Sequence, residues 1–445
     1  MILPSPARVD PAARRLKIAI VCSRNPLPMN YGDQLTVAHL MAFLAARGHT
    51  IDLYHVDAGG TPSEVQAQWI REQCRNVYSY PHGWRDMLRA AITALPMGLP
   101  FQAALFDKAA QRRDVTARAG EYDVIYTYYI RSGEVTRRIG RDKGPATFMA
   151  YQLSQSLNTR RISENAPNWR YRAFYALESR LVEAYEAGLW QDFTRSVLIG
   201  PADVEAVKTA CAARGYPEID NYVFGAHGGD IDRFAPRPDV ARVPGRLIFC
   251  GVMRNPTNVQ AVQWFASNVW PIVKAGAPEA TWDIVGYDPW PEVRALEELD
   301  GVRVTGSVPD PAEYVAEAEV CINSMQAGAG LQNKLIEYLA SGTATVATSV
   351  ANEGIGARPD EHLLVADSPE AFAEAVLRLL REPDLRTRLG KAGRQFAEAN
   401  WSWEAHWLKL EQDFYDAIDG RPPSRIRSPE EALKAARAAA TEEAV

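Results

Sequence analysis

Lys334 and Glu337 stand three positions apart in the stretch Gly328-Ala329-Gly330-Leu331-Gln332-Asn333-Lys334-Leu335-Ile336-Glu337-Tyr338-Leu339-Ala340. Residues at that spacing share one face of a helix. Ahead of them, Gly328 and Gly330 let the backbone approach a ligand closely, and the N–H groups of a helix start favour an anion. A lysine beside such a start can hold a diphosphate, and a carboxylate one turn on can accept two hydrogen bonds from a ribose diol. The pair therefore suits a ligand carrying both phosphate and hydroxyl groups, as a nucleotide does. A packing turn followed by an exposed Lys-Glu pair is the other reading of the same residues. No competing signature is present: no G-x-G-x-x-G follows Cys22, and no G-x-x-x-x-G-K-[ST], H-E-x-x-H or G-x-S-x-G occurs.

The elements that must position this stretch read as two β/α halves. Leu16 to Cys22 is a buried parallel strand, Gln34 to Arg47 a helix ended by Gly48, and Ile51 to Val56 a second strand. That is the opening unit of a doubly wound sheet. From Ser63 to Gly120 the chain reads as helical and irregular, broken by Pro81, Gly83, Pro96 and Pro100. It mixes apolar residues with Arg85, Arg89, Lys108, Arg112, Arg113 and Arg118. Such a basic, partly amphipathic stretch can lie on an anionic membrane surface; a solvated helix face is the alternative. Between His227 and Gly245, glycines, prolines and charges interrupt all periodicity, and the β/α pattern restarts at Leu247. The expectation is an α/β protein of two doubly wound, Rossmann-like domains facing across a cleft. They would span 16–227 and 246–400, joined by a linker at 228–245 and followed by a crossover helix at 401–420 and a tail at 421–445. Ligands of such sheets bind at the carboxyl ends of the strands, where the Lys334 stretch falls.

The 445 residues are 47% hydrophobic and 23% charged, which fits a soluble globular chain, and the net charge of −6 argues against general nucleic-acid binding. The five cysteines form no C-x-x-C pair. Cys22, Cys250 and Cys321 lie in apolar runs and read as buried thiols in a reducing compartment, with no metal site expected. Met1 to Arg15 lacks the apolar core of a signal peptide, and no stretch approaches the roughly 18 apolar residues of a membrane helix. The expected location is cytoplasmic, with peripheral contact at the inner membrane through the basic stretch.

Several motifs recur in a known pattern. The first half carries Pro28-x-x-x-Gly32-Asp33, Leu44-Ala45-x-Arg47-Gly48-His49, Ser156-Leu157-Asn158 and Tyr185-Glu186. The second carries Gly251-Val252-Met253-x-x-Pro256-x-Asn258, Gly301-Val302-x-Val304-Thr305-Gly306-x-Val308-Pro309-Asp310, Gly330-Leu331-Gln332-Asn333-Lys334-x-x-Glu337 and Glu353-Gly354-Ile355. Over roughly residues 16 to 420 the chain resembles GT-B fold retaining glycosyltransferases of the family 4 type, and within them bacterial exopolysaccharide-associated sugar transferases.

The resemblance implies roles residue by residue. Glu337 matches the second glutamate of the family's E-x7-E motif, which binds the donor's ribose. Gly328, Ala329, Gly330 and Leu331 would offer N–H groups to the diphosphate. Gly306 and Val308 match the loop lining the nucleobase pocket, and Gly32 the loop that closes over the donor phosphates. Arg254 and Lys334 are the cations for the leaving diphosphate. Asp33, Arg131, Gln152, Gln155 and Ser156 would meet the acceptor, a glycan or polyprenyl-linked glycan. No cofactor and no metal are implied; the nucleoside-diphosphate sugar is the substrate. Two departures stand out. Ala329 replaces the first motif glutamate, and Gln152 to Ser156 replace the histidine or aspartates common there. A nucleotide-sugar epimerase and a non-catalytic nucleotide- or glycan-binding protein stay open as alternatives.

Overall fold

Short apolar runs that bury both faces build the first sheet, as parallel strands covered by helices on both sides require. Its strands are β1 (Lys17–Cys22), β2 (Thr50–Val56), β3 (Asn76–Tyr80), β4 (Val124–Tyr128), β5 (Ala146–Gln152), β6 (Arg195–Leu198) and β7 (Tyr222–Phe224). They lie in the order β3-β2-β1-β4-β5-β6-β7, and every pair is parallel. The computed structural model describes residues 3–4, 11–29, 32–141, 144–164, 169–225, 228–326 and 331–424. The Ala-rich tail past residue 424 and the loop Gly328 to Gly330, including Ala329, lie outside the described residues.

A second sheet repeats the plan with β8 (Arg246–Cys250), β9 (Thr281–Val285), β10 (Val302–Gly306), β11 (Val320–Asn323), β12 (Thr345–Ala347) and β13 (Leu364–Val365). The order is β10-β9-β8-β11-β12-β13, again all parallel. Contacts divide the chain into Met1–His227 with His406–Val445, and Gly228–Ala405. Each sheet therefore has one switch point where the strand order reverses, between β1 and β4 in the first unit and between β8 and β11 in the second.

Two local expectations change. The stretch 63–120, read as helical, contains the edge strand β3, in register with β2 from Asp52↔Asn76 to Val56↔Tyr80. Tyr78 and Tyr80 alternate on it: Tyr78 stacks on Tyr54 at 4.5 Å, and the buried Tyr80 donates to Asp114 at 2.8 Å. Of the five residues of β3 only Tyr80 is buried, so the strand gives little apolar signal. In the second half, where the β/α pattern restarts, the helix after Cys250 is interrupted by a π-helical turn at Phe265–Val269, just before Pro271. Proline lacks the N–H that a continuous helix needs there.

The helices used below are α1 (Gly32–Ala46), α2 (Trp84–Thr93), α3 (Phe101–Phe106), α4 (Gln155–Glu164), α5 (Trp169–Leu189), α6 (Pro256–Trp264), α7 (Asn333–Ala340) and α8 (Trp403–Ile418). From His406 onward α8 packs on the first sheet, with Phe414 4.8 Å from Phe148. Its buried Glu411 accepts from Arg47 (2.9 and 2.6 Å) and meets His49 Nε2 at 2.7 Å. Residues 228–245, which read as a linker, lie within the second unit: Gly229 N–H donates to Trp401 O at 2.8 Å, and Arg233 and Arg237 both reach Asp310. Among the described residues no helix is long and apolar enough to cross a membrane. Cys22, Cys211, Cys250 and Cys321 are buried free thiols.

Candidate active site

At the second switch point, β8 and β11 pair side by side while their following helices lead to strands on opposite sides. Right-handed crossovers then put α6 and α7 on opposite faces, which leaves a crevice at the strand ends. The walls are tight. A Cβ on Gly286 would fall 1.6 Å from the Gly251 carbonyl oxygen, so the ends of β8 and β9 pack backbone to backbone. Gly306, at φ +73°, ends β10, and its carbonyl accepts the Gly286 N–H at 3.2 Å. Gly306 is buried and Val308 half-buried.

Across this crevice Lys334, in the first turn of α7, donates from Nζ to Asn258 Oδ1 of α6 at 2.5 Å. The ammonium also lies 4.3 Å from the centre of the Phe249 ring and 3.8 Å from Met325 Sδ. Among the described residues no carboxylate forms an ion pair with it. Burial pushes its pKa down to about 7, outweighing the opposing effect of Cys250 and Glu337 beside it. The carboxylate of Glu337, one turn on, has no hydrogen bond or ion pair among the described residues. Burial, reinforced by Asp230, pushes its carboxyl up to about 7. Asp230 is itself raised by burial. Helices opened by Asn255, Asp310, Thr348 and Ser368 have their first N–H groups capped by those side chains, whereas Gln332 gives α7 no side-chain cap. Among the described residues, one face of α7 thus offers an amine without an ion pair, a carboxylate without a hydrogen-bond donor, and a helix start without a side-chain cap from Gln332. Each of the three deficits would be met by a phosphate or a diol.

Arg254 stands apart from this pair. It is exposed on the loop after β8, and its Nε meets Asp288 Oδ2 at 3.0 Å. Its loop is pinned by Met253 N–H to Tyr287 O (2.9 Å) and Trp290 N–H to Met253 O (3.3 Å). Leu331 is half-buried just ahead of α7.

The first switch point holds a different arrangement. Arg131, after β4, donates through Nε to Ser23 Oγ at 2.6 Å and through Nη2 to Asp33 at the start of α1. Arg24 reaches the same carboxylate at 3.0 Å. Arg131 is buried, with its guanidinium 4.4 Å from the Tyr129 ring centre. Gly32 opens α1 on the surface, where a Cβ would meet nothing within 4 Å. The fold itself therefore places no demand for glycine at that position.

Ser154, Gln155 and Ser156 surround the glutamate of the Tyr185-Glu186 motif. Glu186, fully buried on α5, accepts the backbone N–H groups of Gln155 (2.6 Å) and Ser156 (3.2 Å) at the start of α4, and the Ser154 hydroxyl at 3.2 Å. Burial outweighs these donors and raises its pKa to about 7. Gln155 also donates to the Tyr129 hydroxyl, and with Arg131 it lines a small recess between α3, α4 and α5. Gln152 ends β5 buried at φ +67°, and Ser156 Oγ bonds Ser154 Oγ at 2.9 Å. Arg131 and Gln155 are thus brought together at the recess, whereas Gln152 and Ser156 face the protein interior. Asn258 and Asp230 were missed as site residues; the position of Asn258 within Pro256-x-Asn258 was the available signal.

The comparisons agree with this geometry. The profile of the family described as Glycosyl transferases group 1 matches residues 244–382, which hold the Lys334 crevice. An uncharacterized 44.6 kDa protein in the cps region of Klebsiella pneumoniae is 20% identical over 375 residues, covering 81% of this chain and 90% of that one. Sucrose-phosphate synthase from Thermosynechococcus elongatus superposes with a TM-score of 0.61 at 20% identity, over 91% of this chain and 100% of that one. Anabaena HepE in complex with UDP superposes with a TM-score of 0.60 at 12% identity, over 90% and 100%. Fold and domain together define the class: the chain is a GT-B glycosyltransferase.

Proposed function

We propose that this chain is a hexosyltransferase that moves a sugar, with retention, from a nucleoside-diphosphate donor to a glycan or polyprenyl-linked glycan in bacterial polysaccharide synthesis. The observation that carries the reading is the pair on α7: among the described residues, Lys334 makes no ion pair and the Glu337 carboxylate has no hydrogen-bond donor, and both stand at the strand ends. The diphosphate would take Lys334 and the start of α7, and the ribose diol would take Glu337. Gly306 and Val308 would line the base. Arg254 and the stretch Gly328 to Leu331 would complete the donor contacts. UDP and UDP-glucose in HepE structures support a nucleotide-sugar donor, and the cps-region relative supports polysaccharide synthesis.

Catalysis in this reading rests on stabilising the leaving group. As the glycosidic bond to the donor phosphate breaks, negative charge grows on the diphosphate, and Lys334 and the helix N–H groups face that charge. The departing phosphate oxygen takes the proton of the acceptor hydroxyl on the same face of the sugar, so no separate base is needed. Arg131 and Gln155 at the recess would orient the acceptor. Incubation with UDP-glucose and an extract of lipid-linked glycans, followed by detection of released UDP, tests the reading: release only with acceptor supports transfer. Binding without release over a panel of donors and acceptors supports a non-catalytic binder.

A further inference from the structure

The first unit carries an apolar surface that the donor site does not use. On α2 and just beyond it, Trp84 (69% exposed), Met87, Leu88, Ile92 (64%), Leu95 and Met97 all face solvent. On the first turns of α5, Trp169 (73%), Tyr171, Phe174 and Leu177 do the same. Both segments flank the short helix α3. Arg89 of α2 donates to Ala104 O at 2.8 Å, while Glu178 of α5 accepts the Phe101 N–H at 2.9 Å and Phe174 lies edge-on to Phe101 at 6.3 Å. Ala90 and Ala94 of α2 share one core cluster with Val182 and Tyr185 of α5. Soluble proteins rarely leave so many large apolar side chains together in water.

The exposed charges within 84–106 and 169–182 have one sign. Arg85, Arg170, Arg172 and Arg180 are exposed. The carboxylates within 84–106 and 169–182 are Asp86 and Glu178. Asp86 is held by Lys108 Nζ at 2.5 Å and by the Gly83 N–H, and Glu178 is buried on the start of α3. Each exposed tryptophan sits beside an arginine: Arg85 over Trp84 at 5.6 Å and Arg170 over Trp169 at 5.5 Å. Apolar side chains with tryptophan and arginine and no available carboxylate suit the interface of an anionic bilayer, where the rings and arginine stems enter and the guanidinium groups stay at the phosphates.

We infer that α2 and the first turns of α5 form a docking surface for an anionic phospholipid membrane. The recess lined by Gln102, Gln155, Glu178 and Arg131 lies between α3, α4 and α5, so docking places it beside the lipid surface. A lipid-linked acceptor could then reach Arg131 without leaving the bilayer. The surface is argued from its own composition, independently of the sugar-transfer reading, so vesicle binding and UDP binding can fail separately.

The full chain is floated with vesicles of phosphatidylglycerol and phosphatidylcholine, and with phosphatidylcholine alone. The expected result is flotation with the mixed vesicles, little with the neutral ones, and release by salt. The double variant Trp84→Ser/Ile92→Ser and, separately, Trp169→Ser/Arg170→Glu should each lower the fraction bound about tenfold. Because these residues are exposed, Tm and UDP affinity should stay unchanged. Absence of wild-type binding to the mixed vesicles overturns the inference, as does unchanged binding by both variants. So does a wild-type dimer that the variants convert to monomer with no vesicle binding, since the surface would then be an interface between copies.

Discussion

Lys334 Nζ and Asn258 Oδ1 stand 2.5 Å apart across the switch point of the second sheet. Arg131 and Asp33 make the corresponding bridge in the first sheet, from the segment after β4 to the helix after β1. The difference is charge. Asp33 gives Arg131 a carboxylate partner, shared with Arg24, whereas Asn258 gives Lys334 only an amide oxygen, so Lys334 stays open to pairing with an incoming anion. Converting the amide to a carboxylate should close that opening. Asn258→Asp is expected to raise the Lys334 pKa and to weaken UDP binding about tenfold or more, through competition and repulsion at the phosphates. Calorimetric titration checks this. An unchanged affinity would place the phosphates elsewhere.

The pH dependence of donor binding follows from the same pair. Lys334 has its pKa lowered to about 7 and Glu337 has its raised to about 7, in both cases chiefly by burial. The diphosphate selects the ammonium and the diol selects the carboxylate, so binding takes up a proton at one group and releases one at the other. Affinity should peak near neutrality and fall by up to about tenfold per pH unit on either side, with apparent values that belong to the pair. Glu337→Gln should remove the acid limb and Lys334→Met the alkaline limb. A flat profile for the wild type would contradict both assignments.

Glu186 predicts a pH effect on stability. Its folded pKa, raised to about 7, lies above that of an ordinary glutamate, so the folded state holds a proton that the unfolded chain has lost. The contribution is fully present below about pH 4 and is lost as pH rises to about 7, for a change on the order of 3 kcal/mol. Urea unfolding at a series of pH values should show stability falling over that window in the wild type. Glu186→Gln should flatten the slope.

Breaking the anchor of α8 should be costly. Glu411 is pushed up by burial, yet the hydrogen bonds from His49 and Arg47 hold it below the usual glutamate range. Its contribution is therefore present above the unfolded pKa and lost as pH falls through the folded one. Glu411→Ala leaves a buried histidine and arginine without their acceptor, and a loss of about 3 kcal/mol is expected at neutral pH. A thermal midpoint equal to that of the wild type would show that α8 is held by apolar packing on Phe148 instead.

The sequence made the two doubly wound sheets legible because their strands are continuous apolar runs between glycine-rich turns. It concealed β3, whose alternating tyrosines sit on a half-exposed edge, and the π turn before Pro271, since local periodicity runs unbroken through it. Within the site, Lys334 and Glu337 could be read from their spacing on one helix. Asn258 could not, because its contact with Lys334 crosses between helices 76 positions apart. Nor could Glu186, whose partners on α4 are about 30 positions away, beyond any local pattern.

The most direct measurement is isothermal titration of UDP, GDP, ADP and dTDP into the wild type and into Glu337→Ala at neutral pH. At least one nucleotide should bind the wild type, and the variant should bind it about ten- to a hundredfold more weakly, the loss expected for hydrogen bonds to a charged acceptor. Equal affinity in the two proteins would contradict the assignment of the α7 face as the donor site.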